Sequence, residues 1–388
     1  MPLASGHPVA YDRLELTAYT REAVQKMAVA VIGCGALGSE AARLLGLLGL
    51  GSVLLVDHDA VEATNLTHSP YFRSVSALGR PKAEVLAENL TPHFPATSWT
   101  PLHCEIADAG FQRLQNCALL FSCTDNLLSR VETGYAAFRL GLPMMDAGLK
   151  GHAFWSGRVA WLPGGSAACY LCQLGEAKRA ELLSFSLAGS QSCFAERPDD
   201  PILPSTPTMA SIVAGLQVDL GLRLAMARDA VDARAWELSL PLPETAWRSF
   251  TIPRSIDCPW HEPDRSLDLA PLPMDVPLNE SLPAAPGAAA SSESGSQPPI
   301  LELDWPICLQ ARCSDCRHLW NPMVRVAVLR RGGICPVCGS SRLHPVQTLS
   351  RVACGDPFAA FTPSQLGLPS GHLFTLRRAS PGSATSHS

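Results

Sequence analysis

The stretch "VAVIGCGALGSEAARLLGLLGLGSVLLVD", Val29 to Asp57, leaves this chain few choices of fold. The apolar run around it is long enough to cross a bilayer, but Glu40 and Arg43 interrupt it and glycines stud it. A strand–turn–helix–strand unit fits that pattern better than a membrane span. In such a unit the glycines of "GCGALG" have separate tasks. Gly33 permits the tight turn, Gly35 lets the backbone approach a phosphate, and Gly38 lets helix and strand pack closely. The helix N-terminus favours the anion. Asp57 closes the next strand about 20 residues on, where a carboxylate reaches a ribose hydroxyl. Nucleotide binding is the expected consequence.

The pattern continues downstream. "SVLLVD", "ALLFSCT", "PMMDAG" and "RVAWL" are strand-like and alternate with helical segments up to about Ala160. Alternation of this kind predicts an α/β fold, a Rossmann-like doubly wound, mostly parallel sheet with helices on both faces. Residues 1–26 read as a short helical lead-in. Residues 173–207 are polar and irregular, a crossing loop, and "PTMASIVAGLQVDLGLRLAMA" reads as a closely packed helix. Residues 263–300 are a Pro/Ala/Ser-rich linker expected to be disordered. A compact cysteine-rich module is expected over 301–348, then an extension and disordered tail over 349–388.

Fourteen cysteines are too many for packing alone. "MPLASGHPVAYDRLEL" has no basic stretch leading into an apolar core, so no secretory leader is expected. A cytoplasmic, reducing location then favours metal binding over disulfides. Cys169 and Cys172 in "CYLC", with Cys258 and His261 in "CPWH", can close a tetrahedral zinc site. All four positions are protein ligands, so the expected role is structural. Cys313, Cys316, Cys335 and Cys338 form two Cys-x-x-Cys pairs eighteen residues apart, a zinc-ribbon spacing. A segment this short needs the metal for its folding energy. Cys34, Cys104, Cys117 and Cys123 read as core residues.

The net charge of −5 argues against a protein that binds nucleic acid over its whole surface. Residues 306–345, however, hold six arginines against one aspartate, a local +5. These arginines can offset a doubly negative tetrathiolate zinc centre, or dock an acidic partner or nucleic acid.

"DHDAVEATNL", "GRPKAE", "SCTDN" and "MMDAG" follow the glycine turn in this order. The series resembles the ThiF/MoeB/HesA family, the adenylating fold of ubiquitin-activating enzymes, from about Tyr11 to His261. The resemblance implies one adenylating domain over residues 1–262. It also implies a function: ATP-dependent adenylation of the C-terminal carboxylate of a ubiquitin-like or sulfur-carrier protein ending in glycine. By this resemblance Asp57 holds the ribose, Asn65 and Lys82 contact the phosphates, and Asp125 binds magnesium. Arg13, in "YDR", would reach into a neighbouring subunit's site, making a homodimer. Cys193 would take the acyl group as a thioester or carry a persulfide, serving a conjugating or sulfurtransferase partner. A thiolate is the reactive form, and Arg197 is near enough in sequence to favour it. One departure stands out. The family usually reads "NLxRQ" where this chain reads "NLTHS", which places His68 at the arginine position. Arg73 or Arg80 is then the candidate substitute.

Three other readings compete. An NAD-dependent oxidoreductase would leave Lys82, Asp125 and "MMDAG" as coincidences. A non-catalytic carrier-binding scaffold would make His68 the mark of a decayed site. Adenylation of a peptide or nucleoside is the third.

Overall fold

Five parallel strands and three antiparallel ones make the sheet that carries the glycine turn. In this computed structural model the described residues are 20–67, 69–149, 155–179, 206–227, 231–240, 243–261, 268–282 and 300–377. The chain divides into two units. The first draws on Met1–Ala109, Arg113–Gln173 and Pro201–His261, and the second on the remainder.

In the first unit the parallel strands are β1 (Ala28–Ile32), β2 (Ser52–Asp57), β3 (Ser98–His103), β4 (Leu119–Ser122) and β5 (Met144–Leu149). They lie in the order β3-β2-β1-β4-β5. The chain therefore reverses its direction of travel across the sheet between β1 and β4, the switch point at which open α/β sheets bind ligands. β1 and β4 are buried along nearly their whole length, as central parallel strands should be. The sheet continues antiparallel through β6 (Ser156–Leu162), β7 (Arg234–Ser239) and β8 (Ala246–Thr251).

Four helices pack on this sheet: α1 (Ala36–Leu48), α2 (Lys82–Leu90), α3 (Leu127–Leu140) and α4 (Pro207–Met226). α1 ends at Gly49, whose φ of 75° lets its N–H cap the carbonyls of Leu45 and Gly46. Two glycines show that both faces are covered. Gly157 lies against Val213 of α4, while Gly148 lies against the guanidinium of Arg130 in α3. Gly157 pairs with Leu149, so Gly148 points to the opposite face. α4 is long and apolar enough to cross a membrane by length and composition. It packs on α1, β4, β5 and β6, so it is a core helix. Leu45, Leu50 and Leu55 are fully buried in the shared core, each worth ~1.5–3 kcal/mol.

The expected strands are present, but β3, β7 and β8 were not anticipated. β3 reads "SWTPLH" and β8 reads "AWRSFT"; both are edge strands with largely accessible side chains, so neither shows an apolar run.

The second unit is larger than the ribbon expected for it. β10 (Ile300–Cys313) is the spine of a six-stranded antiparallel sheet. It pairs with β11 (Leu319–Trp320), β12 (Val324–Arg325), β13 (Leu343–Val352) and β14 (Leu373–Arg377), and β14 pairs with β9 (Asp268–Pro271). The linker expectation is corrected in part. Residues 268–282 are not linker: β9 is a strand of the sheet, and Leu278 and Leu282 are fully buried beside Leu301, Leu366 and Phe374. The expected extension after 348 belongs to this core, because β14 pairs with the first residues of β10. The Pro/Ala/Ser composition hid the alternation in "DLAPLP". The rest of the expected linker, 263–267 and 283–299, lies outside the described residues. α5 (Val326–Gly332) covers the ribbon end.

Candidate nucleotide crevice and metal centres

The crevice forms where β1 and β4 end. Gly33 turns the chain at φ 91°, and its N–H donates to the Val56 carbonyl at 2.8 Å. A Cβ on Gly33 would sit 3.0 Å from the Cys123 carbonyl, and one on Gly38 would sit 1.8 Å from the Gly33 oxygen. The protein's own backbone therefore requires both glycines. Gly35 is different: among the described residues a Cβ there would meet no atom within 4 Å. Gly35 also opens α1 without a side-chain cap. Its role is the open approach to the helix N-terminus, which suits a phosphate.

Asp57 ties this turn to β2. Its Oδ2 accepts the Cys34 N–H at 2.6 Å and its Oδ1 accepts the Asp59 N–H at 2.7 Å. Burial pushes the Asp57 carboxyl up, and the two N–H bonds and the Lys82 charge only partly oppose this. Lys82 opens α2, and its Nζ donates to Asp59 Oδ2 at 2.8 Å. Burial works against the ammonium, but the bond and charge of Asp59, then Asp57 and Asp125, hold its pKa above the usual value. Asp125 lies exposed at the end of β4. The cap of α3 is its neighbour Asn126, whose side chain accepts the Ser129 N–H at 2.8 Å, which leaves the Asp125 carboxylate out of that role.

A second ion pair lies beyond Asp125. Arg130 donates to both oxygens of Asp146 at 3.1–3.2 Å, and Ser122 Oγ donates to Asp146 at 2.9 Å. Asp146 is the acid of "MMDAG". From α4, Gln217 donates to the Ser122 and Met145 carbonyls, each at 2.9 Å, and accepts from Cys123. This buried set fixes the ends of β4 and β5. Lys82 and Arg130 both feel Asp125. Among the described residues, four carboxylates (Asp57, Asp59, Asp125, Asp146) thus stand near two cations, a net of −2 when all are ionised. Such a crevice needs added cations before it takes a polyphosphate.

Of the residues expected here, Gly33, Gly35, Gly38, Asp57, Lys82 and Asp125 gather at the switch point. Asn65 is engaged locally, its Oδ1 accepting the Glu62 N–H at 2.9 Å within its own turn. Arg80 is held by Glu88 at 2.5 Å, and Arg73 is exposed. Arg13, His68 and Cys193 lie outside the described residues. Asp59, Arg130 and Asp146 were missed individually, although Asp59 and Asp146 stand inside quoted motifs. Cys34, Cys117 and Cys123 are buried as expected, whereas Cys104 is only half-buried. Burial pushes the Cys117 thiol up to about 11 and the Cys123 thiol up to about 12.

Both cysteine groups assemble. Cys169, Cys172, Cys258 and His261 bring four ligand atoms within 4.8 Å of one another. The Cys169 sulfur is 3.7 Å from that of Cys172 and 3.5 Å from that of Cys258. A tetrahedral ion with 2.3 Å bonds to sulfur needs about 3.8 Å between ligands. The Ser255 N–H donates to Cys172 Sγ at 3.4 Å, and the buried His261 Nε2 has no hydrogen-bond partner among the described residues. A buried, partnerless ring nitrogen on a histidine grouped with three thiols fits a metal ligand. Gly134 of α3 makes the close approach possible, since a Cβ there would lie 2.3 Å from the Tyr170 Cβ. In the second unit Cys313 and Cys338 are 3.6 Å apart and Cys316 and Cys335 are 3.5 Å apart. Each pair turns through a left-handed residue, Arg317 at φ 60° and Gly339 at φ 72°.

The fold and crevice define a doubly wound nucleotide-binding protein. Residues 13–260 match the ThiF family, and the chain belongs to it. It is 28% identical over 208 residues to rat (Rattus norvegicus) Ubiquitin-like modifier-activating enzyme 5, covering 51% of this chain and 49% of that protein. It is 29% identical over 150 residues to Xenopus laevis Adenylyltransferase and sulfurtransferase MOCS3, covering 38% of this chain and 32% of that one. The chain thus spans about half the length of the activating-enzyme relatives it matches. Among solved structures, E. coli MccB with MccA-N7isoASN aligns at TM-score 0.50 and 18% identity, covering 66% of this chain and 76% of that chain.

Proposed function

We propose that this chain is an ATP- and magnesium-dependent adenylyltransferase whose substrate is the C-terminal carboxylate of a ubiquitin-like or sulfur-carrier protein. The observation that carries the reading is the meeting of Asp57, Lys82 and Asp125 around the glycine turn at the β1/β4 switch point. An attacking carboxylate oxygen forms a bond to the α-phosphorus. The bond from that phosphorus to the bridging oxygen breaks, and pyrophosphate leaves with the electron pair. Negative charge rises on the non-bridging oxygens, where a fixed ammonium and helix N–H groups stabilise it most. Asp57 orients the ribose and Lys82 stands at the α-phosphate. Asp125 would hold Mg2+, which neutralises the leaving pyrophosphate and the crevice's own negative charge. Zn2+ is the ion proposed for both cysteine groups, in structural roles.

The homodimer with Arg13 reaching across belongs to this reading. It is supported by apolar surface on two adjoining helices, where Leu47 of α1 is 52% exposed and Ile212 of α4 is 41% exposed. Cys193 as acceptor of the acyl group, a conjugating or sulfurtransferase partner, and a reducing cytoplasm complete it.

The test is ATP–pyrophosphate exchange with and without a small carrier ending in glycine. Carrier-dependent exchange that drops about 100-fold or more in Asp125→Ala supports the reading. Tight ATP binding without exchange for any such carrier would favour the scaffold instead. RNA-stimulated ATP cleavage would favour a nucleoside substrate.

A further inference from the structure

We infer that Asp59 is the positioning residue for Lys82, fixing the ammonium at the point where charge builds on the α-phosphate. This rests on the adenylation reading. Lys82 is an awkward place for a cation. It opens α2, whose N-terminus carries partial positive charge. Its side chain is only 12% exposed. A long, flexible lysine in such a place would extend to water unless something held it.

Asp59 holds it from two sides. The Asp59 carbonyl accepts the Lys82 backbone N–H at 2.9 Å, and its carboxylate accepts the Nζ at 2.8 Å. The adjoining residues Ala60 and Pro81 form a β-bridge that closes the clasp. The Asp59 N–H in turn donates to Asp57, which accepts from Cys34 in the glycine turn. One chain of hydrogen bonds therefore runs from the phosphate turn through Asp57 and Asp59 to the ammonium. Asp57 has both oxygens engaged by these N–H groups. An ammonium has three donors, so one can stay on Asp59 while the others take phosphate oxygens. In this proposal Asp59, whose other oxygen lies 3.2 Å from His58 Nε2, acts through Lys82 and not on the nucleotide.

The experiment is a double-mutant cycle on Asp59→Asn and Lys82→Ala, read by exchange kinetics. Asp59→Asn should lower kcat by about 10–100-fold, the cost of a misplaced catalytic group. The KM for ATP should change by less than about 3-fold, because ground-state binding is not what is lost. In the Lys82→Ala background the same substitution should change kcat by less than about 2-fold. Asp59→Glu, which keeps the charge, should recover part of the loss. A second readout needs no turnover. Acylation of the Lys82 amine, followed by mass spectrometry, should run several-fold faster in Asp59→Asn than in the unaltered chain. Multiplicative losses in the cycle, or unchanged labelling with unchanged kcat, would overturn the inference. Faster labelling in a chain that never exchanges would leave Asp59 as the lysine's holder and sink only the adenylation reading.

Discussion

The nucleotide crevice and the ribbon end of the second unit are both small sites of specified residues, but different forces hold them. The crevice is shaped by backbone laid over a large core. Gly33, Cys34 and Asp57 are linked by buried hydrogen bonds, and β1, β2 and β4 beneath them are packed on both faces. The ribbon has a cluster of only seven buried residues, three of them cysteines. Two of its four ligands, Cys316 and Cys338, are exposed. A core of that size cannot order the loops, so the Zn2+ proposed for it would supply that order. The first cysteine group lies between these extremes, since Cys169 and Cys258 are buried against the ring-rich face of α3. Where packing is dense the proposed metal would lock a loop, and where packing is thin it would make the fold.

The largest test of this contrast removes the ribbon's ion. Structural zinc contributes about 10–16 kcal/mol in domains that depend on it. Cys316→Ser should release one of two zinc equivalents and open residues 313–343 to protease, while ATP affinity stays unchanged. Ribbon order that survives the loss would break the contrast. Next comes Gly38→Ala, which drives a methyl into the Gly33 carbonyl. It should lower the stability of the first unit by at least about 1–3 kcal/mol and abolish ATP binding, with both zinc equivalents retained. Thermal unfolding and metal analysis read the two sides. Cys258→Ser should release the other zinc equivalent at a cost of about 1–3 kcal/mol, lowering Tm without unfolding the sheet. Loss of the whole far-ultraviolet signal would place this group with the ribbon. The smallest effect on stability is expected for Gly35→Ala. It should leave Tm nearly unchanged, within about 0.5 kcal/mol, yet weaken ATP about 10-fold or more by calorimetry, because among the described residues the added methyl meets no atom and faces the proposed ligand's approach.

Much of the crevice was legible because its signals are local. A glycine turn, an acid at the end of a strand and a lysine at a helix start are each readable within a few residues, and their order identified the family. The two cysteine groups were legible for the same reason: metal-ligand spacing survives any loop between the pairs. Asp59 and Asp146 stood in plain view inside "DHD" and "MMDAG" but carried no separate meaning. Their roles come from Lys82 and Arg130, which lie 23 and 16 residues away in sequence.

The doubly wound core, the glycine turn with its acid, and the members of two cysteine groups that could hold a metal could all be read from the sequence. Each depends on apolar periodicity or on short fixed spacing. Only the tertiary structure decided that three antiparallel strands extend the sheet, that β9 and β14 turn a ribbon into a six-stranded unit, and that Asp59 holds Lys82. Edge strands carry mixed side chains because one side meets water, so their pattern is faint. Ion pairs form between residues that the fold brings together, and no local pattern announces such a meeting.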